Sequence, residues 1–512
     1  MTVPLAKAPP AFYHRKAVPR HPSGRQNQSD REVPRQHETR NSHTTIESCT
    51  GGFPVSAGAA RSLTSGPITP TLLRFALPMM LGDLLQQFYN IADTLIVGRY
   101  VGADALAAVG SAYTLMTFLT SILLGLSMGS GVAVSISFGR GESNRMRREV
   151  FLSFCMIGAT ALVLNIGTFA LTDQILALLQ VPGEVWSLMR DYLVVIFLGI
   201  GGTFLYNYYA CLLRAVGDSV RPLIFLGIAA LLNVALDILF VLGLNGGVAG
   251  AAWATVIAQW LSGLGLCVYA LLTRPDLRVR RQDMRWDKPC AAHVFRLSFV
   301  TGAQQSIMNF GILMVQGRVN SFGPQVMAAF AAAVKIDSFA YMPVQDFGNA
   351  FSTFIAQNYG AGRHERIRRG TRSAILTSML FGAAVSAVVF VFAQPLMLIF
   401  VQPEEVEILG IGVQYLRTEG SFYCLIALLF LLYGFYRAIE RPGMSVVLTV
   451  ISLGLRVVLA YALSAIPVLG AAGIWVSIPI GWAIADLVGC IPMFSFFRRL
   501  TSPDGSDSKQ TT

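Results

Sequence analysis

The sequence predicts an all-α polytopic membrane protein, with twelve transmembrane helices in two six-helix lobes that arise from an internal duplication. Three observations predict it. First, of 512 residues 54% are hydrophobic and 13% charged, roughly half the charge of a soluble globular chain, and the mean hydropathy is +0.57. Second, basic residues crowd alternate connections between apolar runs. Third, ordered blocks of sequence recur at a nearly constant spacing. The composition excludes a large soluble enzyme and a disordered chain. The net charge of +11 is then to be read as loop bias before it is read as a nucleic-acid surface.

Residues 1–66 are polar, with nine Lys/Arg, four Asp/Glu and no apolar run of membrane length, so a disordered cytoplasmic tail is expected and no nucleic-acid partner. They lack the apolar core of a secretory signal. Twelve apolar runs follow, at about 71–99, 106–138, 149–172, 187–214, 219–243, 247–273, 291–320, 325–359, 371–400, 407–437, 442–466 and 469–498. Each exceeds the ~20 residues needed to cross a bilayer as a helix, and none alternates at the period of two that a barrel strand needs. The implied plan is an N-lobe over 67–273, a cytoplasmic linker over 274–290, a C-lobe over 291–499 and a cytoplasmic tail over 500–512. The seven cysteines form no CxxC pair. No disulfide framework, metal site or cofactor is expected.

Charge tests the count. Basic residues fall on the connections after segments 2, 4, 6, 8 and 10: Arg140, Arg145, Arg147 and Arg148; Arg214 and Arg221; the linker cluster from Arg274 to Lys288; Arg363, Arg366, Arg368, Arg369 and Arg372; Arg437 and Arg441. The other connections carry Arg99, Arg190, Arg318 and Arg417. The positive-inside rule then puts both termini in the cytoplasm of a multi-pass protein of the cell (inner) membrane.

The duplication shows in the same loops. FGRGESNRMRR at 138–148 matches YGAGRHERIRR at 359–369. Gln86, Asn90, Gly98 and Arg99 match Gln305, Asn309, Gly317 and Arg318; Arg214 and Ala215 match Arg437 and Ala438; Gly247 and Gly250 match Gly470 and Gly473. Offsets run from 219 to 223 residues. Two parallel halves of this kind are typical of transporters, with the substrate path between them.

Chemistry is sought where charge is expensive. The acids read as lying within the membrane are Asp83, Asp93, Asp237, Asp337, Asp346, Glu419 and Asp486. Helical spacing places Gln86, Tyr89, Asn90 and Asp93 on one face, Asn233 with Asp237, and Thr255 with Gln259. Two carboxylates, an amide and a hydroxyl suit a proton shared between close acids or a hard cation such as Na+. The duplicated positions sharpen this, because Asp93, Asn233, Asp237 and Thr255 map onto Ile312, Arg456, Ala460 and Ile478. A coupling site in the N-terminal half alone is expected. Pro78 and Pro343 are expected to kink their helices. No Walker A, HExxH or nucleophile motif is present, so the chain is not expected to be an enzyme.

At these residues the chain resembles the multidrug and toxic compound extrusion (MATE) family. The segments that carry the resemblance are LPMMLGDLLQQFYNIADTLIVGRYVGADALAAVG at 77–110, LRAVGDSVRP at 213–222, LNVALDILFV at 232–241, GVAGAAWATVIAQW at 247–260 and KIDSFAYMPVQDFGNAFSTFIAQNYGAG at 335–362. The resemblance spans residues 70–498 and is closest to the DinF-like branch with its ion site in the N-lobe. It implies a two-lobe exporter of amphipathic, often cationic compounds, driven by inward H+ or Na+. It implies cation coupling at Asp93, Asn233, Asp237 and Thr255, with Gln86, Tyr89, Tyr192 and Asn207 in support. The family's other branch uses acids of the C-lobe, for which Asp337 and Glu419 are the nearest counterparts. A monomer in the lipid bilayer with a small-molecule substrate is expected. The competing readings are a flippase for lipid-linked saccharides, which would want several basic residues inside the cavity, and a non-transporting scaffold.

Overall fold

The computed structural model describes residues 62–178, 181 and 183–501. The remainder of the two expected tails lies outside the described residues. Among the described residues every regular element is helical: α1 Ile68–Tyr100, α2 Ala103–Arg140, α3 Ser143–Ala170, the short α4 Thr172–Leu178, α5 Gly183–Phe197, α6 Ile200–Ala215, α7 Val220–Asp237, α8 Gly247–Thr273, α9 Lys288–Asn320, α10 Pro324–Gly360, α11 His364–Met397, α12 Val406–Gly420, α13 Tyr423–Ala438, α14 Pro442–Ser464 and α15 Ala472–Thr501. A π-helical stretch, Ile238–Gly243, prolongs α7, and two 3-10 turns fill the connection before α9.

Nine of the described helices are long and apolar enough to cross a membrane, or eleven spans when the bent pairs α5–α6 (46°) and α12–α13 (51°) each count as one. The expected twelfth span is α9. It has the length, but it carries Gln304, Gln305, Asn309 and Gln316. These are tolerated because α9 is packed against protein: Gln304 and Gln305 are buried, and α2 and α14 pack along the helix. The α2 contact is close enough that a Cβ on Gly125 or Gly129 would strike the α9 backbone at Gly302 or Leu297.

Two apolar cores organise the chain. One is built only from residues between Val97 and Leu277. The other is built mainly from residues between Val315 and Met493, joined by Leu63, Leu72, Phe75, Ala76 and Met79. The first half of α1 therefore belongs to the second core, while Val97 near its end belongs to the first. Its duplicate α9 mirrors this, with Val294 and Leu297 packed on Ala133 of α2 and Val315 and Val319 in the second core. α1 and, through Val132 and Ile136, α2 thus reach into the second core, while the start of α9 packs on α2.

The duplicated glycine loops explain themselves in this arrangement. A Cβ on Gly139 would run into the carbonyl of Gln357, and one on Gly360 into the carbonyl of Ile136, so the first glycine of each loop lets α2 and α10 cross backbone to backbone. The second glycine, Gly141 (φ 76°) or Gly362 (φ 66°), takes the left-handed conformation that ends the helix. Around the crossing, Gln357 Nε2 donates to Ala215 O at 2.8 Å and Arg140 pairs with Glu440 at 3.7 Å. The two halves are thus sealed at the end that bears the basic loops.

Several expectations shift. Residues 62–66 fall in the stretch expected to be a disordered tail, yet Leu63 is buried. Its N–H donates to Gln357 Oε1 at 2.9 Å, and Arg366 donates to the carbonyls of Leu63, Ser65 and Gly66. The arginines of the loop supply donors that a solvated tail would not need. α3 starts at Ser143, so Arg145, Arg147 and Arg148 sit in its first turns rather than in a loop. Pro78 and Pro343 lie inside α1 and α10 without interrupting either. α11 holds a non-helical residue, Phe392 (φ −97°, ψ 15°), three residues before Pro395.

The crossing makes a stability prediction. Gly139→Val overpacks the backbone contact with Gln357 and is expected to cost about 1–3 kcal/mol, lowering the melting temperature of the detergent-purified protein. Gly167→Ala, at a helical site with no neighbour within 4 Å, should leave it unchanged. Equal melting temperatures for both would show that the crossing is not tight.

Candidate ion and cargo site

A cavity of about 610 Å³ lies between the two halves, within the 300–1,000 Å³ typical of small-molecule sites. Its wall carries five carboxylates, Asp83, Asp93, Asp337, Asp346 and Glu419, and three guanidinium groups, Arg214, Arg437 and Arg456. The first-half wall is polar, with Gln86, Tyr89, Asn90, Tyr192, Asn207, Asn233 and Thr255 all lining it. Aromatic faces from Tyr113, Tyr341, Phe430 and Trp482 complete it.

The structure brings the predicted coupling residues together. Helical spacing on α1 aims Asp93 at α7, where Asp237 is fully buried, and the two carboxyl groups come within hydrogen-bonding reach of each other. One turn away, Asn233 Nδ2 donates to Thr255 Oγ1 of α8 at 3.3 Å. Tyr89 and Tyr192 flank the acid pair, while Gln86 lies on the cavity wall and Asn207 donates to Thr203 O at 2.9 Å. Asp237 itself sits behind the wall, reached through Asp93 and Asn233. Asp93 Oδ1, both carboxyl oxygens of Asp237 and Asn233 Oδ1 are buried acceptors without a donor. Among the described residues no basic side chain acts on either acid. Such a group of orphan oxygens fits a proton held between the carboxyls or a small hard cation. α7 gives way to π-helical geometry immediately after Asp237, a distortion frequent at functional sites and not read from the sequence.

The second half solves the same problem differently. Asp337 Oδ1 accepts from Tyr423 OH at 2.7 Å, and Glu419 lies beside Tyr415 and Arg456. Arg456 acts on both acids. It occupies the position equivalent to Asn233, so this cluster has a cation built in. Lys335, close to Asp337 in sequence, does not serve: its side chain is exposed and its Nζ lies 5.9 Å over the Phe400 ring. Asp486 is buried in α15 with neither carboxyl oxygen bonded, and it does not line the cavity.

Two residues were misassigned by sequence reasoning. Arg214 and Arg437 read as topology markers at segment ends, yet both line the cavity, and Arg437 Nη2 donates to Asn349 Oδ1 at 3.1 Å. The repeat of the Arg-Ala pair in both halves was the available signal.

Removing Arg456 should expose the cost it offsets. Arg456→Met leaves two buried carboxylates without their cation and is expected to destabilise the fold by about 3–5 kcal/mol, read as a fall in melting temperature. Adding Glu419→Gln should restore part of the loss, and additive effects of the two changes would refute the pairing.

Comparison with known proteins agrees with this architecture. A family model described as MatE matches residues 78–239 and again 298–462, one match in each half. The probable multidrug resistance protein YpnP of Bacillus subtilis is 29% identical over 394 residues, covering 77% of this chain and 87% of that protein. The probable multidrug resistance protein NorM of Thermotoga maritima is 26% identical over 428 residues, 82% of this chain and 90% of that protein. Among solved structures, a MOP superfamily transporter from Pyrococcus furiosus, whose reverse polarity of binding pocket suggests a different function, superposes with a TM-score of 0.82 at 23% identity, covering 87% of this chain and 100% of that one. With a family match in each of two helical halves around a shared cavity, the chain belongs to the MatE family of membrane transporters.

Proposed function

We propose that the protein is a secondary active exporter of amphipathic, predominantly cationic small molecules, driven by inward H+ or Na+ flow through the Asp93–Asp237 site. One observation carries the reading: among the described residues Asp93, on the wall of a cavity large enough for a drug-sized molecule, and the buried Asp237 behind it form an acid pair with no basic partner. Where the other half keeps Arg456, this half leaves a place that only an exchangeable cation fills.

With the pair unprotonated and free of Na+, the cavity is more acidic and attracts a cationic cargo. Binding of H+ or Na+ from the far side neutralises the pair, changes how α1 packs on α7 and favours cargo release. The ion and the cargo compete for the same negative charge, which is the coupling that antiport requires. The basic-loop end is the cytoplasmic end by the positive-inside rule, so both termini are cytoplasmic in a cell (inner) membrane. Each half's core is closed within one chain, which supports a working monomer.

The flippase reading gains one point, because three arginines, Arg214, Arg437 and Arg456, line the cavity. Each is already engaged: Arg214 by Asp83 and Asp346, Arg456 by Glu419 and Asp337, Arg437 by Asn349. Carboxylates still outnumber them, which disfavours an anionic pyrophosphate cargo.

Ethidium flux in proteoliposomes, with a pH gradient and a Na+ gradient imposed separately, tests the reading. Either gradient should drive flux in the parent protein. Asp93→Asn and Asp237→Asn should each abolish the driven component while the protein remains monodisperse and inserted. Ion-driven flux that survives in both variants would refute it.

A further inference from the structure

A second acid pair lies deeper in the cavity. Asp83 of α1 and Asp346 of α10 bring their carboxyl groups within hydrogen-bonding reach of each other, and Arg214 of α6 acts on both. Asp346 is 4% exposed; its Oδ2 has no other donor, and Asn349 lies beside the same carboxyl. Two carboxyl groups at this range make a hydrogen bond only when one carries a proton. The three residues come from three helices. α10 is in the second core, α6 in the first, and α1 passes between them. Asp83 lies ten residues before Asp93 on α1, about 15 Å toward the sealed end at 1.5 Å per residue.

We propose that Asp83, Asp346 and Arg214 form a second proton-binding site, separate from the Asp93–Asp237 pair, which holds the two halves together at the basic-loop end while it carries a proton. One proton and one guanidinium balance two carboxylates, and the shared hydrogen bond spans α1 and α10. Without the proton, two adjacent carboxylates face one cation and repel. The other charged and titratable groups around the site are Tyr206 and Cys211 on α6 and Arg437 on α13, which is directed at Asn349. On the α7 side the neighbours at Gly82 are Leu223 and Leu226. The sign follows from linkage: the closed form binds the proton better, so acid favours closure and rising pH favours opening.

The inference takes the exporter reading as its setting, because only a transporter must open this end. Its test measures the opening itself. With the native cysteines replaced, Asn144→Cys at the start of α3 and Glu365→Cys at the start of α11 carry spin labels on opposite sides of the seal. Their distance distribution is recorded in nanodiscs from acid to alkaline pH. The parent should show the short distance in acid and a growing longer population as pH rises. Asp83→Asn and Asp346→Asn each hydrogen-bond the remaining carboxylate without a titrating proton, so each should hold the short distance throughout. Asp486→Asn, in α15 and away from the cavity wall, should keep the parent's response. A parent distance that ignores pH overturns the proposal, as does an unchanged response in both Asp83→Asn and Asp346→Asn, or a response abolished by Asp486→Asn. If one Asn variant is not recovered folded, the other decides. Failure of the exporter reading would appear in the ethidium flux and not in these distances.

Discussion

A carboxylate enclosed by apolar helices must be matched by a cation or a proton, because an unmatched charge there costs several kcal/mol. The cavity of this protein contains three acid pairs, and each meets that requirement in its own way. Asp337 and Glu419 have Arg456, a cation that is covalently part of the chain. Asp83 and Asp346 have Arg214, which balances one of the two charges. Asp93 and Asp237 have no basic neighbour among the described residues. Two pairs thus have one internal arginine for two carboxyl groups and the third has none, and the place for an exchangeable ion lies at that third pair. The same rule bears on cargo, since two of the three cavity arginines are held by the cavity's own acids and its carboxylates outnumber its arginines.

The scaffold makes this division workable. The halves share one helical plan, yet long helices cross between them: the start of α1 packs with the second core and the start of α9 against α2. A helix anchored in both bodies feels any change in their relative position. α1 is such a helix, and it carries both Asp83 and Asp93. Side-chain-free crossings at Gly139 and Gly360 bring the backbones of α2 and α10 together at the sealed end. Small residues serve here because apolar burial gives little drive for association between helices in lipid, so close van der Waals packing supplies it.

Much of this was legible in the residues. Composition and the alternation of basic loops identified the helical membrane class, and the recurrence of FGRG as YGAG identified the duplication. Helical spacing grouped Gln86, Tyr89 and Asp93, and Asn233 with Asp237, before any geometry was known. What escaped has a common cause. Arg214 and Arg437 were read as loop charges because a linear chain does not show which way the last turn of a helix points. Residues 62–66 looked like solvated tail because their partners, Gln357 and Arg366, are about 300 positions away. α9 looked like an ordinary span, although its glutamines are sheltered by α2 and α14 rather than by lipid.

By itself the sequence determined the class, the two-half plan and the short-range faces on which polar groups lie, because hydropathy, charge bias and helical period are local properties of the chain. The tertiary structure decided which acids meet and what balances them. That Asp93 finds Asp237, that Asp83 finds Asp346, and that Arg456 rather than Lys335 serves Asp337 are outcomes of how helices distant in sequence pack. Electrostatic compensation falls off over a few ångströms, so only packing at that scale separates a charge that is matched from one left for an ion to fill.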